Sequence, residues 1–283
     1  MNCIIFDIGG TKTRVALSVD GETLLAQEKY DTPHKPQKGV ELLITTANQM
    51  LEQASVKVEK VVGGIRGRLN EDHQYLEKDD ILTAWEGFPL VESFEKAFNV
   101  PVILENDTAL AGLGEAVFGA GKGFDYVVYH TVSTGVGGVK IEQGKIDQAS
   151  TGFEPGHQIL DIDKTILGDD INPTLENLVS GRAVEERMGT KPYEIDQSDV
   201  LWDTLAQYLG QGLRNSILYW SPEVIVLGGS MILGDPKILL DDIRKYTVEA
   251  LDGFTEAPYI TAAKYGDEAG LYGAIAKANE PEE

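Results

Sequence analysis

The stretches Cys3–Val19, CIIFDIGGTKTRVALSV, and Tyr126–Glu142, YVVYHTVSTGVGGVKIE, follow one pattern. Each begins with an apolar, β-branched run, bends through glycine and threonine, and returns on a second apolar run. The first bend is Asp7-Ile8-Gly9-Gly10-Thr11-Lys12-Thr13, and the second runs from Thr131 through Ser133, Thr134, Gly135 and Val136 to Gly138. Turn signals at Asp20-Gly21 and Gln143-Gly144 follow the two hairpins, and the first adds a third antiparallel strand. A hairpin that recurs this far along the chain predicts two related lobes.

Around the hairpins, strand and helix alternate, which is the α/β pattern. In the first half the periodicities predict a helix over Val40–Ala54, a strand over Val61–Ile65, a helix over Leu90–Phe98 and a strand over Val100–Leu104. The second half reads as a long helix Val200–Trp220, a strand Glu223–Leu227, a helix Pro236–Ala250, a strand Tyr259–Ala263 and a helix Ala269–Lys277. The charged tail 279–283 is expected to fray.

At 283 residues with 42% hydrophobic content, the chain is long enough for two lobes with a cleft between them. A formal net charge of −22 argues against a surface built for a nucleic acid or an anionic membrane, though not against a small anion held locally. Cys3 is the single cysteine, so no intramolecular disulfide forms and a reducing compartment is expected. With no leader-like start and no apolar run of membrane-span length, the expectation is a soluble cytoplasmic protein.

The chemistry centres on Ile103–Gly121, ILENDTALAGLGEAVFGAG. An apolar strand runs into a helix with Glu105-Asn106-Asp107 at the junction, which places polar groups at the carboxyl end of a sheet, where open α/β folds bind ligands. Asp107 there serves either as a general base toward a hydroxyl or as the helix cap, a role Thr108 can also fill. Asn106 beside it can fix that hydroxyl by hydrogen bonds. In the first bend, Gly9 and Gly10 let the backbone approach a phosphate, and Thr11 and Lys12 add a hydroxyl and a charge. Asp7, closing the strand, is placed to hold magnesium through water. Thr134 and Gly135 offer the same to phosphates from the other lobe. Neither bend is a P-loop or a dinucleotide fingerprint. The remaining polar cluster is Glu154, His157 and Glu176, with Arg182 nearby. Glu154 and His157, three residues apart in a Gly/Pro loop, can project to one side and bind vicinal hydroxyls of a sugar. The set is also a possible metal site, but no cysteine falls between His157 and Glu176 and the spacing fits no zinc motif. His34, His73 and His130 read as surface or core residues.

These residues, in this order, resemble the ROK (repressor, open reading frame, kinase) sugar kinases. The matching motifs are Asp7-Ile-Gly-Gly-Thr-Lys12, Glu105-Asn-Asp-Thr-Ala109 with Gly114-Glu115, Ser133-Thr-Gly-Val-Gly-Gly138, Glu154-Pro-Gly-His157, Glu176 followed by Val179-Ser-Gly181, and Val226-Leu-Gly-Gly229. The resemblance covers nearly the whole chain. It implies a two-lobed α/β fold, the ribonuclease H-like fold of the actin/hexokinase-like ATPases, with ATP and magnesium in a central cleft and a hexose as phosphoryl acceptor. In that reading Asp107 is the general base. Asn106, Glu154, His157, Glu176 and Gly64 border the sugar, phosphorylated at its C6 hydroxyl. Asp7, Gly9, Gly10, Thr11, Lys12, Thr134 and Gly135 hold the phosphates and magnesium, and Gly228 and Gly229 lie against the adenosine. A homodimer is also implied.

The implied small lobe is 1–109 with about 269–283, and the large lobe 110–268. Two helices rich in small residues, with Ala109, Gly112, Gly270, Gly273 and Ala274, would form the hinge. The chain departs from the resemblance in three places. Residues 160–174 carry no cysteine, so no zinc is expected. The segment Ile65-Arg66-Gly67-Arg68 stands where a Pro-Gly is usual, so Arg66 or Arg68 can alter substrate preference. Ser133 replaces a common glycine. A different class of reading is a sugar-responsive regulatory or binding protein without turnover; retention of Asp107 with both bends speaks against it. Another ATPase of the superfamily is a third reading, against which the Glu154/His157/Glu176 set speaks for a sugar.

Overall fold

The structure, a computed structural model, describes residues 1–149 and 152–281. The chain divides into two compact units, one of Met1–Val117, Gln148–Gly152 and Glu268–Glu283, the other of Phe118–Asp147 and Phe153–Asp267.

The first unit is built on β1 (Cys3–Ile8), β2 (Lys12–Ser18), β3 (Ala26–Asp31), β4 (Lys60–Ile65) and β7 (Val102–Asn106), in the order β3-β2-β1-β4-β7. The strands β5 (Arg68–Leu69) and β6 (Leu76–Lys78) form a separate two-stranded ribbon. The β1–β2–β3 meander is antiparallel, whereas β4 and β7 run parallel to β1. Parallel strands need crossovers, and these are α1 (Pro36–Ala54) and the segment that ends in α2 (Leu90–Phe98). Ile4, Phe6 and Ile8 of β1 share a core with Val40, Leu43 and Ala47 of α1 and with Leu90 and Phe94 of α2. Their neighbours Cys3 and Ile5 are equally buried, so β1 is apolar on both faces, as a central strand must be. Burial pushes the Cys3 thiol up to about 12, against the pull of Lys60 nearby.

The helices α3 (Asp107–Val117) and α9 (Ala269–Ala278) belong to the same unit and lie against each other and against β4. They approach backbone to backbone: a β-carbon on Gly273 would stand 1.7 Å from the Leu110 carbonyl oxygen, and one on Gly114 would stand 2.3 Å from that of Ala269. This contact keeps the whole of α3 in the first unit, so its first segment ends at Val117, where the sequence reading divides the chain at Ala109. The start of the tail expected to fray is held: Asn279 donates to the Gly21 carbonyl at 2.7 Å, and Lys277 pairs with Glu280. The last two tail residues, Glu282 and Glu283, lie outside the described residues.

The second unit repeats the plan. Its strands are β8 (Tyr126–Val132), β9 (Val136–Glu142), β10 (Lys145–Ile146), β11 (Val224–Gly228) and β12 (Tyr259–Ala262), in the order β10-β9-β8-β11-β12. An antiparallel meander is again followed by two strands parallel to its first. The helices are α4 (Leu175–Val179), α5 (Gly181–Met188), α6 (Val200–Trp220), α7 (Ser230–Leu233) and α8 (Leu240–Leu251). The Asp199 side chain caps α6 by accepting from the Leu201 amide, and Leu205, Leu209, Leu213 and Ile217 carry its buried stripe.

Several boundaries differ from the sequence reading, and α1 starts at Pro36, four residues before the expected Val40, with the proline in its first turn. The helix expected from Pro236 begins only at Leu240, because the Lys237 amide donates to the Gln197 side chain and the Ile238 amide to the Met231 carbonyl, both at 2.8 Å. The strand expected over Val100–Leu104 is β7, Val102–Asn106, because pairing with β4 continues through Gly64↔Glu105 and Ile65↔Asn106 after the apolar run has ended. Among the described residues, no helix is long and apolar enough to cross a membrane.

Candidate active site

In the first unit three parallel strands end in register: Asp7, Gly64 and Glu105 lie side by side, then Ile8, Ile65 and Asn106. The first glycine bend, the Arg66-Gly67 loop and the N-terminus of α3 all start from that edge. The Gly9 amide closes the bend on the Lys12 carbonyl at 2.9 Å. The Thr32 hydroxyl donates to the Gly9 carbonyl at 2.7 Å and meets the Thr13 hydroxyl at 3.0 Å, while its amide bonds Thr11. The bend is therefore held in shape by Thr32, just past β3. Lys12 does not turn to the glycines; it pairs with Asp31 at the exposed edge. Asp7 is directly opposite Arg14, whose Nη1 donates to its Oδ2 at 3.1 Å, and both side chains are largely buried.

The structure separates two roles that the sequence left joined on Asp107. The cap of α3 is Asn106, whose Oδ1 accepts the Ala109 amide at 3.0 Å while its Nδ2 donates to the Gly67 carbonyl at 3.1 Å. Asp107 and Thr108 are thus helical rather than capping residues. The Asp107 Oδ1 accepts the Thr108 amide at 2.7 Å. Burial pushes the Asp107 carboxyl above the usual carboxylate range; the Thr108 amide and the Arg66 guanidinium pull it down, and Asp79 adds to the rise. A β-carbon on Gly64 would come within 3.3 Å of the Asp107 Cα, so the start of α3 lies close over that strand end. One on Gly270, at the start of α9, would lie 3.8 Å from the Asp7 carboxyl carbon and 3.9 Å from the Asp107 carbonyl. Asp7 and Asp107 therefore flank the same turn.

In the second unit the second bend follows β8, and Gly229 follows β11, at neighbouring strand ends where Thr131 pairs with Gly228. Gly229 has φ +87, and a β-carbon there would meet the Val132 carbonyl oxygen at 2.3 Å. The bend is braced on three sides. The Ser133 carbonyl accepts the Gly181 amide at 2.7 Å, its hydroxyl meets that of Ser230 at 3.1 Å, and the Glu176 Oε2 accepts the Val136 amide at 2.9 Å. Glu176 also holds Arg182 through Oε1 at 2.9 Å. Thr134 and Gly135 lie at the tip of this bend, with Gly135 against the Glu176 carboxylate.

Glu154 and His157 bracket the short helical turn Pro155–His157, and both are exposed. That turn rests on β9, since a β-carbon on Gly156 would stand 2.1 Å from the Val136 carbonyl oxygen. Gln158 anchors it from behind, donating to the Pro155 carbonyl at 2.9 Å and accepting from Asn215 of α6 at 2.7 Å. His130 is a core residue, as expected, with Nε2 on the Ser216 hydroxyl at 3.0 Å; burial alone drives it down to about 4. The segment after His157 is organised by Asp161. Although its desolvation acts the other way, amides of Leu167, Ile166 and Thr165 hold its carboxyl below the usual range. Among the described residues no group of three or more His, Cys, Asp or Glu side chains is arranged to hold a metal ion. Arg14, Asp79, Gln158 and Asn215 were not singled out from the sequence. Of these, only Arg14 left a signal there, because a bend closed from Gly9 to Lys12 sets it opposite Asp7.

Comparison with known proteins agrees with this architecture along its whole length. A putative fructokinase of Bacillus subtilis is 25% identical over 97% of this chain and 94% of its own. The solved structure of a ROK hexokinase from Thermus thermophilus is similar with a TM-score of 0.81 at 28% identity, covering 98% of this chain and 97% of that one. A ROK family glucokinase from Streptomyces griseus, solved in complex with glucose and AMPPNP, gives a TM-score of 0.78 at 26% identity over 97% and 98%. The fold is thus that of the actin/hexokinase ATPases. The ROK family model matches residues 3–280. With both glycine bends and the Asn106-Asp107 junction set at strand ends and the Glu154–His157 turn resting on β9, the chain belongs to the ROK family.

Proposed function

We propose that the chain is an ATP-dependent hexose kinase with Asp107 as general base toward the C6 hydroxyl of a glucose-like sugar. The observation that carries this reading is the division of labour at the end of β7: Asn106 caps the helix, so the raised carboxyl of Asp107 is not needed for that task. A base with a raised pKa accepts a hydroxyl proton better than an ordinary carboxylate does. The sugar oxygen bonds the terminal phosphorus of ATP as the bridging P–O bond breaks, ADP leaves, and the hydroxyl proton passes to Asp107. Such transfer depends on positioning and charge compensation more than on covalent chemistry.

The chain's own residues supply both. Asn106 orients the acceptor, with Gly64 leaving room beside Asp107, and Glu154, His157 and Glu176 hold the sugar's other hydroxyls. Backbone amides of Gly9, Gly10 and Thr11, and of Thr134 and Gly135, bind phosphate oxygens; Lys12 adds charge on leaving Asp31. Gly228 and Gly229 let adenosine lie close to the backbone. Each bend by itself suits phosphate oxygens, because Gly9 and Gly10 in the first and Gly135 in the second leave backbone amides uncovered by side chains of their own and both bends are braced by their neighbours, with Arg14 and Arg66 adding positive charge at the first. Magnesium, held by Asp7 through water, would neutralise charge on the transferring oxygens. A glucokinase solved with glucose and AMPPNP over the same extent of chain supports the choice of sugar and donor.

The test is a coupled assay with ATP, magnesium and a panel of hexoses. At least one sugar should be phosphorylated, and Asp107→Asn should lower turnover by about 10²–10⁴ while sugar and nucleotide still bind. Turnover of Asp107→Asn within about threefold of the parent removes Asp107 from the role.

A further inference from the structure

Arg66 follows the last residue of β4, and its amide donates to the Ile8 carbonyl at 3.2 Å, so its backbone is fixed at the edge from which the first bend departs. Its guanidinium is fixed as well. Nε donates to the Asp79 Oδ1 at 2.9 Å and Nη2 to the Asp80 Oδ1 at 2.8 Å. Asp79 is itself immobilised, with a side chain only 3% exposed, by amides of Ile81 and Leu82 on its other oxygen. These two pairs engage two of the three guanidinium nitrogens. The third, Nη1, lies 3.3 Å from where a β-carbon on Gly10 would stand, with Cδ at 3.4 Å. The guanidinium thus shares the space beside the glycine bend with Ile81, whose Cγ2 would stand 2.9 Å from that β-carbon, and its charge is felt at Asp107. A cation locked between a backbone anion cradle and a carboxylate base is placed where negative charge passes from one to the other.

We propose that Arg66 is a further catalytic residue, its Nη1 contacting the terminal phosphoryl group of ATP at the Gly9–Gly10 bend. This rests on the kinase reading above, but its first test is independent of turnover. A guanidinium presents planar donors suited to phosphate oxygens, and its orientation costs nothing at the moment of transfer because Asp79 and Asp80 have already set it. The two aspartates set the direction of the guanidinium, so its charge already stands at this edge.

The experiment compares binding of magnesium-ATP and magnesium-ADP by titration calorimetry in the parent and in Arg66→Met/Asp79→Asn. The double substitution leaves no unpaired buried carboxylate. Loss of one charge-assisted contact should weaken ATP about tenfold and leave ADP within about twofold, because ADP lacks the group contacted. The kcat for the preferred hexose should fall about a hundredfold with the sugar KM little changed. Equal weakening of ATP and ADP would make Arg66 a structural clamp and overturn the proposal, as would a raised sugar KM at unchanged kcat. If the parent phosphorylates no hexose, the kinase reading fails, while the ATP-to-ADP ratio still decides the contact. Should the double variant not fold, Arg66→Lys keeps the charge without the fork, and unchanged ATP affinity in it overturns the contact.

Discussion

Gly273→Ala changes one hydrogen into a methyl group on a helix, a substitution that in an exposed helix interior stabilises by about 0.8–1 kcal/mol. Here the methyl would stand 1.7 Å from the Leu110 carbonyl oxygen, 2.4 Å from its carbon and 2.9 Å from its Cα, whereas real β-carbons keep at least 3.0 Å. Every one of these atoms is backbone in α3, so no side chain can rotate away and the two helices must separate. Overpacking of this kind costs about 1–3 kcal/mol or more, and the contact here is rigid on both sides, so we place the net effect at about 2 kcal/mol destabilising. For a chain of this size that is a fall in Tm of about 3–4 °C. Gly270→Ala, one turn earlier on the same helix, is the control: its methyl would meet nothing closer than 3.8 Å, so its Tm should not fall. Calorimetric or circular-dichroism melts of the two variants beside the parent make the comparison. If Gly273→Ala melts at or above the parent temperature, the backbone contact between α3 and α9 is not what joins the two segments of the first unit.

The remaining predictions concern charge and metal. Since burial raises the Asp107 carboxyl, the acidic limb of kcat should lie above the ordinary aspartate value of about 3.9, and a limb at or below that value would refute the assignment. The same shift has a stability consequence: the ionised form is the disfavoured one in the folded state, so its cost is absent below the unfolded pKa and appears as pH rises through the folded one. Asp107→Asn should therefore melt higher than the parent near neutral pH, with the gain shrinking as pH falls; a gain that grows instead would contradict the sign. Purified protein should carry no stoichiometric zinc, and elemental analysis finding one zinc per chain after dialysis would overturn that.

The sequence made the fold readable where one physical signal was enough. The α6 helix over Val200–Trp220 was legible because its apolar stripe is continuous and Asp199 stands ready to cap it. The strand β7 runs two residues past what its sequence signals, because apolar content ends at Leu104, whereas strand pairing depends on the neighbour and continues through Asn106. That extension hid Asn106 as the cap of α3 and left Asp107 with two candidate roles. The glycine bends were visible as composition, but what braces them was not: Thr32, Glu176 and Ser230 reach them from distant parts of the sequence. Arg66 stood out as a departure from the family pattern, yet only coordinates could show Asp79 and Asp80 fixing its direction. Gln158 and Asn215 are 57 residues apart and carry no local pattern at all.

Cys3 offers an unplanned clock. It is the sole thiol of the chain, 2% exposed in the central strand of the first sheet and raised to about 12, so the thiolate that alkylating reagents attack is scarce while β1 stays in place. A cysteine introduced on the surface would react first and alone, giving one dye per molecule without deleting the natural residue. Whatever slow labelling of Cys3 follows then counts the openings of the first sheet, and its retardation by a ligand would measure how firmly that ligand holds the sheet closed.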